Sequence, residues 1–253
     1  TRQKYLTASE KGPWANSYDR WRNDNLTNRY QGVQFGYTSA GRYTSWNDIW
    51  NYYGFKERDV LPGDYKYEDW NGDGEINGQD EHPFAFDQTP WLQFSLNAGL
   101  QWKNFDFNML LQGSALGSME YKEPLHEIWG KNGGGALTQF LDRWHPVDPK
   151  ADPYDPSTVW TSGHYAYTGR WAKNNSAFNR VSTAYLRLKS IELGYTFPKL
   201  KQIPNASLRV YANAYNLLTF TGVKFVDPEH PDDDLGRMYP LNKTYTLGVS
   251  LSF

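Results

Sequence analysis

From residue 244 to residue 253 the chain alternates without exception. Tyr245, Leu247, Val249, Leu251 and Phe253 hold one parity, and Thr244, Thr246, Gly248, Ser250 and Ser252 hold the other. Period-two alternation is the mark of a β-strand with one apolar and one polar face. Residues 91–102 repeat it, with Leu92, Phe94, Leu96, Ala98, Leu100 and Trp102 set against Gln93, Ser95, Asn97, Gly99 and Gln101. After the two residues Lys103 and Asn104 the pattern resumes from Phe105 to about Ala115. There Phe105, Phe107, Met109 and Leu111 oppose Asp106, Asn108 and Gln112. Two alternating runs joined by two residues predict a tight hairpin.

A further strand lies within residues 184–197, and its phase changes midway. Leu186 and Leu188 are on one parity, whereas Ile191, Leu193, Tyr195 and Phe197 are on the other. Either a bulge near Ser190 or a strand half outside an apolar layer accounts for this. Residues 207–218 form the remaining strand, with weaker alternation, since Val210, Ala212 and Ala214 oppose Tyr211 and Tyr215. The connections alternate between short (103–104, 198–206) and long (117–183, 219–242). Short turns on one side and long loops on the other are the habit of outer-membrane barrels. The expected fold is therefore all-β: a transmembrane antiparallel β-barrel with long extracellular loops. Its polar interior would include Gln93, Ser95, Asn97, Asp106 and Asn108. Five strands are fewer than the roughly eight that close the smallest barrel, so the remaining strands are expected from an upstream part of the same protein. The chain divides into residues 1–90, an extracellular loop region, and residues 91–253, the barrel strands with loops 117–183 and 219–242.

Composition sharpens this picture. Of 253 residues 17% are aromatic, including 11 Trp and 19 Tyr, yet the mean hydropathy is −0.78. A polar chain so rich in aromatics fits a barrel with a wet lumen and aromatic girdles. It also fits a secreted, calcium-stabilised carbohydrate-binding β-sandwich, which is the alternative expectation. No apolar run approaches the roughly 20 residues of a membrane helix, so a span must be built from strands. The net charge of −2 offers no electrostatic case for nucleic acid. Cysteine is absent, which excludes disulfides and thiolate metal sites. The chain opens without the apolar stretch of a secretion signal, so it is expected to be the mature C-terminal part of a longer protein.

One stretch carries candidate metal chemistry. In DWNGDGEINGQD, residues 69–80, the side chains of Asp69, Asn71, Asp73, Glu75 and Asp80 recur at calcium-loop spacing, with Asn77 at position 9. Gly74 stands where such a loop turns sharply. The set departs from an EF-hand in having Asp80 rather than Glu at position 12, and no helix is expected before it. The competing interpretation is an acidic turn that binds nothing. The tryptophans Trp14, Trp21, Trp46, Trp50, Trp129, Trp144, Trp160 and Trp171 lie in the loop regions; each serves glycan stacking, partner contact or, more simply, a small loop core. Glu120 and Glu123 do not form a recognisable acid–base pair, the five histidines have no ligand spacing, and no nucleophile motif is present, so the chain is expected not to be an enzyme.

Five ordered motifs resemble one family. These are VLPGDYKYEDWNGDGEINGQD (60–80), WKNFDFNMLLQG (102–113), YLRLKSIELGYTFP (185–198), AYNLLTFTG (214–222) and YPLNKTYTLGVSLSF (239–253). They are similar to the C-terminal barrel of SusC-like, TonB-dependent outer-membrane transporters of Bacteroidetes. The resemblance implies a barrel of about 22 strands with a plugged lumen, set in the lipid of the outer membrane. It implies a SusD-like surface lipoprotein as partner and a glycan, or less often a peptide, as ligand. Energy would come through TonB, acting on the amino-terminal part that lies outside this chain, and the rest of the barrel and plug would come from the same protein.

Overall fold

In the computed structural model, residues 30–52, 60–126, 137–169, 172–173, 175–198, 206–231 and 235–253 are described. Their strands are, in chain order, β1 (Gln34–Gly36), β2 (Ser39–Arg42), β3 (Tyr65–Tyr67), β4 (His82–Ala85), β5 (Leu92–Trp102), β6 (Phe105–Ala115), β7 (Ser118–Glu120), β8 (His145–Pro146), β9 (Trp160–Thr161), β10 (Arg180–Ser182), β11 (Tyr185–Phe197), β12 (Ser207–Thr221) and β13 (Thr244–Ser252). One short helix, α1 (Trp46–Asn51), stands between β2 and β3. The chain gathers into two units: Thr1–Asp87 with Ser118–Val181 and Asp234–Gly236, and Gln88–Gly117 with Ser182–Asp233 and Arg237–Phe253.

The second unit is a five-stranded antiparallel sheet in the order β13-β12-β11-β6-β5. Its register explains the alternation. Trp102, Phe105, Tyr195, Val210 and Val249 fall in one cross-strand row. Leu100, Phe107, Leu193, Ala212 and Leu247 form the next, then Ala98, Met109, Ile191, Ala214 and Tyr245. One face of the sheet is thus apolar across all five strands, as a lipid-facing wall must be. Leu100, Leu247 and Phe220 keep 66%, 78% and 64% of their surface exposed. Within this unit the described residues hold no second sheet to cover that face, which a β-sandwich would require. The fold is all-β and antiparallel, as expected for strands of a transmembrane barrel.

The phase change in β11 is a bulge. Leu188 pairs with Leu111 and Ser190 with Leu110, so Lys189 is an extra residue against β6. That single insertion returns Ile191 to the face that Leu188 occupies, and the apolar wall continues across a broken parity. On the other side β12 absorbs the shift between Leu218 and Tyr215, where Asn216 adopts φ 52°. The strand also runs to Thr221, three residues past the expected end, because Thr219, Phe220 and Thr221 still pair with β11.

The first unit carries short elements of its own. It contains β1 paired with β4, β2 paired with β3, and α1. Ser45 caps α1 by accepting a hydrogen bond from the Asp48 amide. Ile49 on that helix packs with Tyr43 and Val60, and Trp46 and Tyr52 close over them. A second aromatic cluster joins Tyr37, Tyr65, Tyr67 and Phe178 edge to face, with the Arg42 guanidinium 4.5 Å from the Tyr65 ring centre. Phe140 and Tyr165 form a third.

Candidate functional site

The polar face of the five-stranded sheet carries two clusters of charge. The first crosses β11. Arg209 on β12 donates from Nε to Asp106 Oδ2 on β6 at 3.0 Å, and its Nη2 reaches the other oxygen of the same carboxylate. Nη2 also donates to Glu192 Oε1 at 2.6 Å, and Asn213 completes the group on Glu192. The guanidinium lies 4.9 Å from the Tyr211 ring centre. Asp106 and Arg209 sit on strands separated by β11, so their bridge must pass over it. The β11 residue beneath is Gly194, where a Cβ would lie 2.5 Å from both the guanidinium and the carboxylate. Glycine here makes room for a charge-assisted fork.

The second cluster centres on Arg187 of β11, which is 2% exposed. Nη2 donates to both oxygens of Asp227 at 2.8 Å, and Nε donates to Thr219 Oγ1 at 2.9 Å. Nη1 stands 3.1 Å from Glu229, and Lys189 Nζ donates to both Glu229 oxygens, at 2.8 and 3.1 Å. Two cations thus face two carboxylates. Asp227 and Glu229 belong to the segment following β12, so the cluster ties that segment to the sheet. The Glu229 amide donates in turn to Asp227 Oδ1, and the His230 amide donates to the Asp227 carbonyl. Gln88 fixes the far end, donating to the Pro231 carbonyl at 2.6 Å.

Of the expected interior residues, Gln93, Ser95 and Asn97 lie on the polar face of β5, and Asp106 and Asn108 lie on that of β6. Only Asp106 enters a charge cluster. Arg187, Arg209, Glu192, Asp227 and Glu229 were not singled out from sequence. A signal exists for the strand residues: each is a charge on the polar parity of a strand whose opposite parity is apolar. Nothing local marks Asp227 and Glu229.

The acidic loop of residues 69–80 folds on hydrogen bonds from its own backbone. Asp69 accepts from the amides of Gly72, Asp73 and Gly74. Asp73 accepts from the Glu75 amide, and Asn71 donates its side-chain amide to Asp73. Gly74 takes φ 83°, the left-handed turn that its position requires. Asp80 is fully buried and accepts from the amides of Trp70, Asn71 and Asn77. Burial pushes its carboxyl above the usual range, and those three amides pull it back. Among the described residues no three Asp, Glu, His or Cys side chains converge on a common point.

The loop tryptophans divide. Trp46 packs on the α1 core, Trp160 meets Tyr167 edge to face, and the Trp144 side chain lies where a Cβ on Gly63 would fall. Trp50 is 62% exposed. Trp14, Trp21, Trp129 and Trp171 lie outside the described residues. Glu120 accepts from the Asn175 amide and faces Arg180 at 3.9 Å, an ion pair rather than half of an acid–base dyad.

No protein-family model matches the chain. Curated relatives do. The TonB-dependent receptor P3 of Formosa agariphila is 28% identical over 77% of this chain and 19% of its own length. The TonB-dependent receptor P26 of the same organism is 27% identical over 88% of the chain and 22% of its own length. The TonB-dependent receptor SusC of Bacteroides thetaiotaomicron is 26% identical over 82% and 19%. The chain thus spans about a fifth of the length of the curated relatives that it matches. Among solved structures, the RagAB peptide transporter aligns with a TM-score of 0.56 at 21% identity, covering 87% of this chain and 22% of that one. The RagAB peptide importer in its closed-closed state gives the same TM-score at 19% identity, covering 90% and 24%. These likenesses agree with an all-β membrane fold, and the curated relatives are receptors rather than enzymes. Over most of its length the chain is similar to TonB-dependent receptors, SusC among them.

Proposed function

We propose that this chain is part of an outer-membrane, TonB-dependent importer that takes up glycans, or less often peptides, with a SusD-like surface lipoprotein. The observation that carries this reading is the two-faced sheet. Five strands present one uninterrupted apolar wall and, on the reverse, amides, hydroxyls and paired charges. A wall of that kind separates lipid from a wet passage. The likeness to TonB-dependent receptors supports the energy source, and the likeness to SusC and RagAB supports the lipoprotein partner. Transport rather than bond chemistry is the activity, and no residue here is assigned a catalytic role.

Deleting the full-length gene should abolish uptake of its fluorescently labelled ligand by whole cells. Collapsing the inner-membrane proton gradient should do the same in the wild type. Uptake that survives both treatments removes the proposal. Affinity purification of the tagged full-length protein should bring down a surface lipoprotein in equal amount; recovery of the barrel protein alone counts against the partner.

Calcium at residues 69–80 is a separate proposal. It requires Asp80 to exchange amide hydrogen bonds for the ion, and its benefit would be a stiffer loop. Terbium luminescence on the intact protein, displaced by calcium and lost in Asp69→Ala with Asp73→Ala, is the expected result. An equal signal in the double variant rejects it.

A further inference from the structure

On the polar face of the sheet a recess of about 460 Å³ opens between β5, β6, β11 and the segment that follows β12. Its volume lies within the roughly 300–1,000 Å³ typical of small-ligand pockets. Gln93, Ser114 and Tyr185 form one cross-strand row of its floor, and Gln112 lines it from the next row. Pro228 and Pro231 line the other side.

Three features decide what such a recess would hold. The first is an unmet hydrogen bond. Ser114 is only 4% exposed, and its Oγ has no partner. A buried hydroxyl without a partner is costly, and a ligand hydroxyl would meet it once a rotation about the Ser114 Cα–Cβ bond turns Oγ to the recess. The second is charge. Among the described residues the only ionised group in the lining is Glu229, and Arg187 and Lys189 both hold it. The described lining therefore presents no free charge to a ligand. The third is the kind of polar group on offer. Gln93, Gln112 and Ser114 each donate and accept, which suits hydroxyls that do both. The prolines add flat apolar surface, as the C–H face of a sugar ring demands. The roof is already in place, since Arg187 holds Asp227 and Gln88 holds Pro231; little ordering cost remains on binding.

We propose that this recess is a subsite for one uncharged, hydroxyl-bearing sugar unit of the transported ligand. The proposal rests on the import function above, and it adds the location and the exclusion of charge. A carboxylate- or sulfate-bearing unit finds no counter-ion here and would lose its hydration on entry. A peptide backbone could use the glutamine amides, but its termini and charged side chains meet nothing complementary.

The test uses the intact full-length protein in detergent and isothermal titration. The probes are neutral hexamers of glucose, xylose and galactose, the hexamer of galacturonic acid, and hexaserine. At least one neutral hexamer should bind, with the uronate at least tenfold weaker. Gln112→Glu, which keeps size and adds charge, should weaken the neutral sugar roughly tenfold. Ser114→Ala should weaken it less, by about threefold. Heat-modifiable gel mobility reports whether each variant is assembled. Gln112→Asn, which keeps the amide one methylene shorter, serves if Gln112→Glu fails to assemble, and should weaken binding at least threefold. Unchanged sugar affinity in assembled variants overturns the subsite. Hexaserine binding that depends on Gln112 and Ser114 overturns its assignment to sugar. Absence of neutral-sugar binding to purified protein whose cells still import by a proton-gradient-dependent route also overturns the subsite, and leaves the import function standing.

Discussion

Along β13 the large side chains Tyr245, Leu247, Val249 and Leu251 all point outward and stay exposed. In the unit containing α1 the large side chains do the opposite. Tyr43, Ile49, Val60 and Leu61 are each less than 7% exposed, and rings at Tyr37, Tyr67 and Phe178 pack on one another. The two regions draw on similar residue types and put them to contrary use. In the sheet, backbone pairing supplies the order and the apolar groups are left for lipid. In the α1 unit, short strands and one six-residue helix supply little order alone, so side-chain burial must do it. The polar groups differ in the same sense. On the sheet they cluster as ion pairs on one face, and in the other unit they cap and tie backbone, as Asp80 and Ser45 do.

The largest expected break in this contrast is Arg187→Met. It leaves Asp227 and Glu229 without their shared cation, and losing one partner of a buried charge cluster costs about 3–5 kcal/mol. In the intact protein, residues 222–231 should become a protease-sensitive segment while the α1 unit keeps its hydrogen-exchange protection. Equal resistance to cleavage in the variant disproves the tie.

A smaller effect separates the two faces of one strand. Leu247→Lys puts a charge in the apolar wall, at a cost of about 2–4 kcal/mol if it lies at mid-bilayer. Thr246→Lys, one residue earlier and on the polar face, should cost far less. Urea unfolding of the full-length protein from lipid vesicles measures both. Equal losses would mean that the two faces are not lipid and lumen.

The smallest effect concerns the first unit. Burial holds the His126 imidazole neutral, with its pKa down to about 4. The folded value is depressed, so this contribution is complete above the unfolded value near 6.5 and is lost as pH falls toward 4. By pH 5 the loss should reach about 2 kcal/mol. Amide exchange in residues 118–126, corrected for intrinsic rates, should quicken accordingly between pH 7 and pH 5, and not in His126→Phe. A pH-independent opening in the wild type would disprove the effect.

Period-two alternation was enough to locate all five long strands, their polar and apolar faces and the hairpin at Lys103-Asn104, because side-chain direction in a strand follows from backbone geometry alone. The phase change in residues 184–197 was also visible, although its meaning was not. A bulge and a half-exposed strand leave the same trace in one sequence, and only the pairing of Leu188 and Ser190 with adjacent residues of β6 distinguishes them. The acidic loop was legible as a spacing. Whether its carboxylates face an ion or their own backbone depends on amide positions that no spacing contains.

What the sequence by itself determined is the sheet: which residues form it, which face is apolar, and which connections are long. Those are local properties, set by neighbours two positions apart. Only the tertiary structure decided where the charges go. Arg209 meets Asp106 across a gap of 103 residues, over a strand that must carry Gly194 at that point. Arg187 meets Asp227 forty residues later in a segment with no regular pattern. Long-range electrostatic pairing has no period, and so it leaves no trace until the strands are laid side by side.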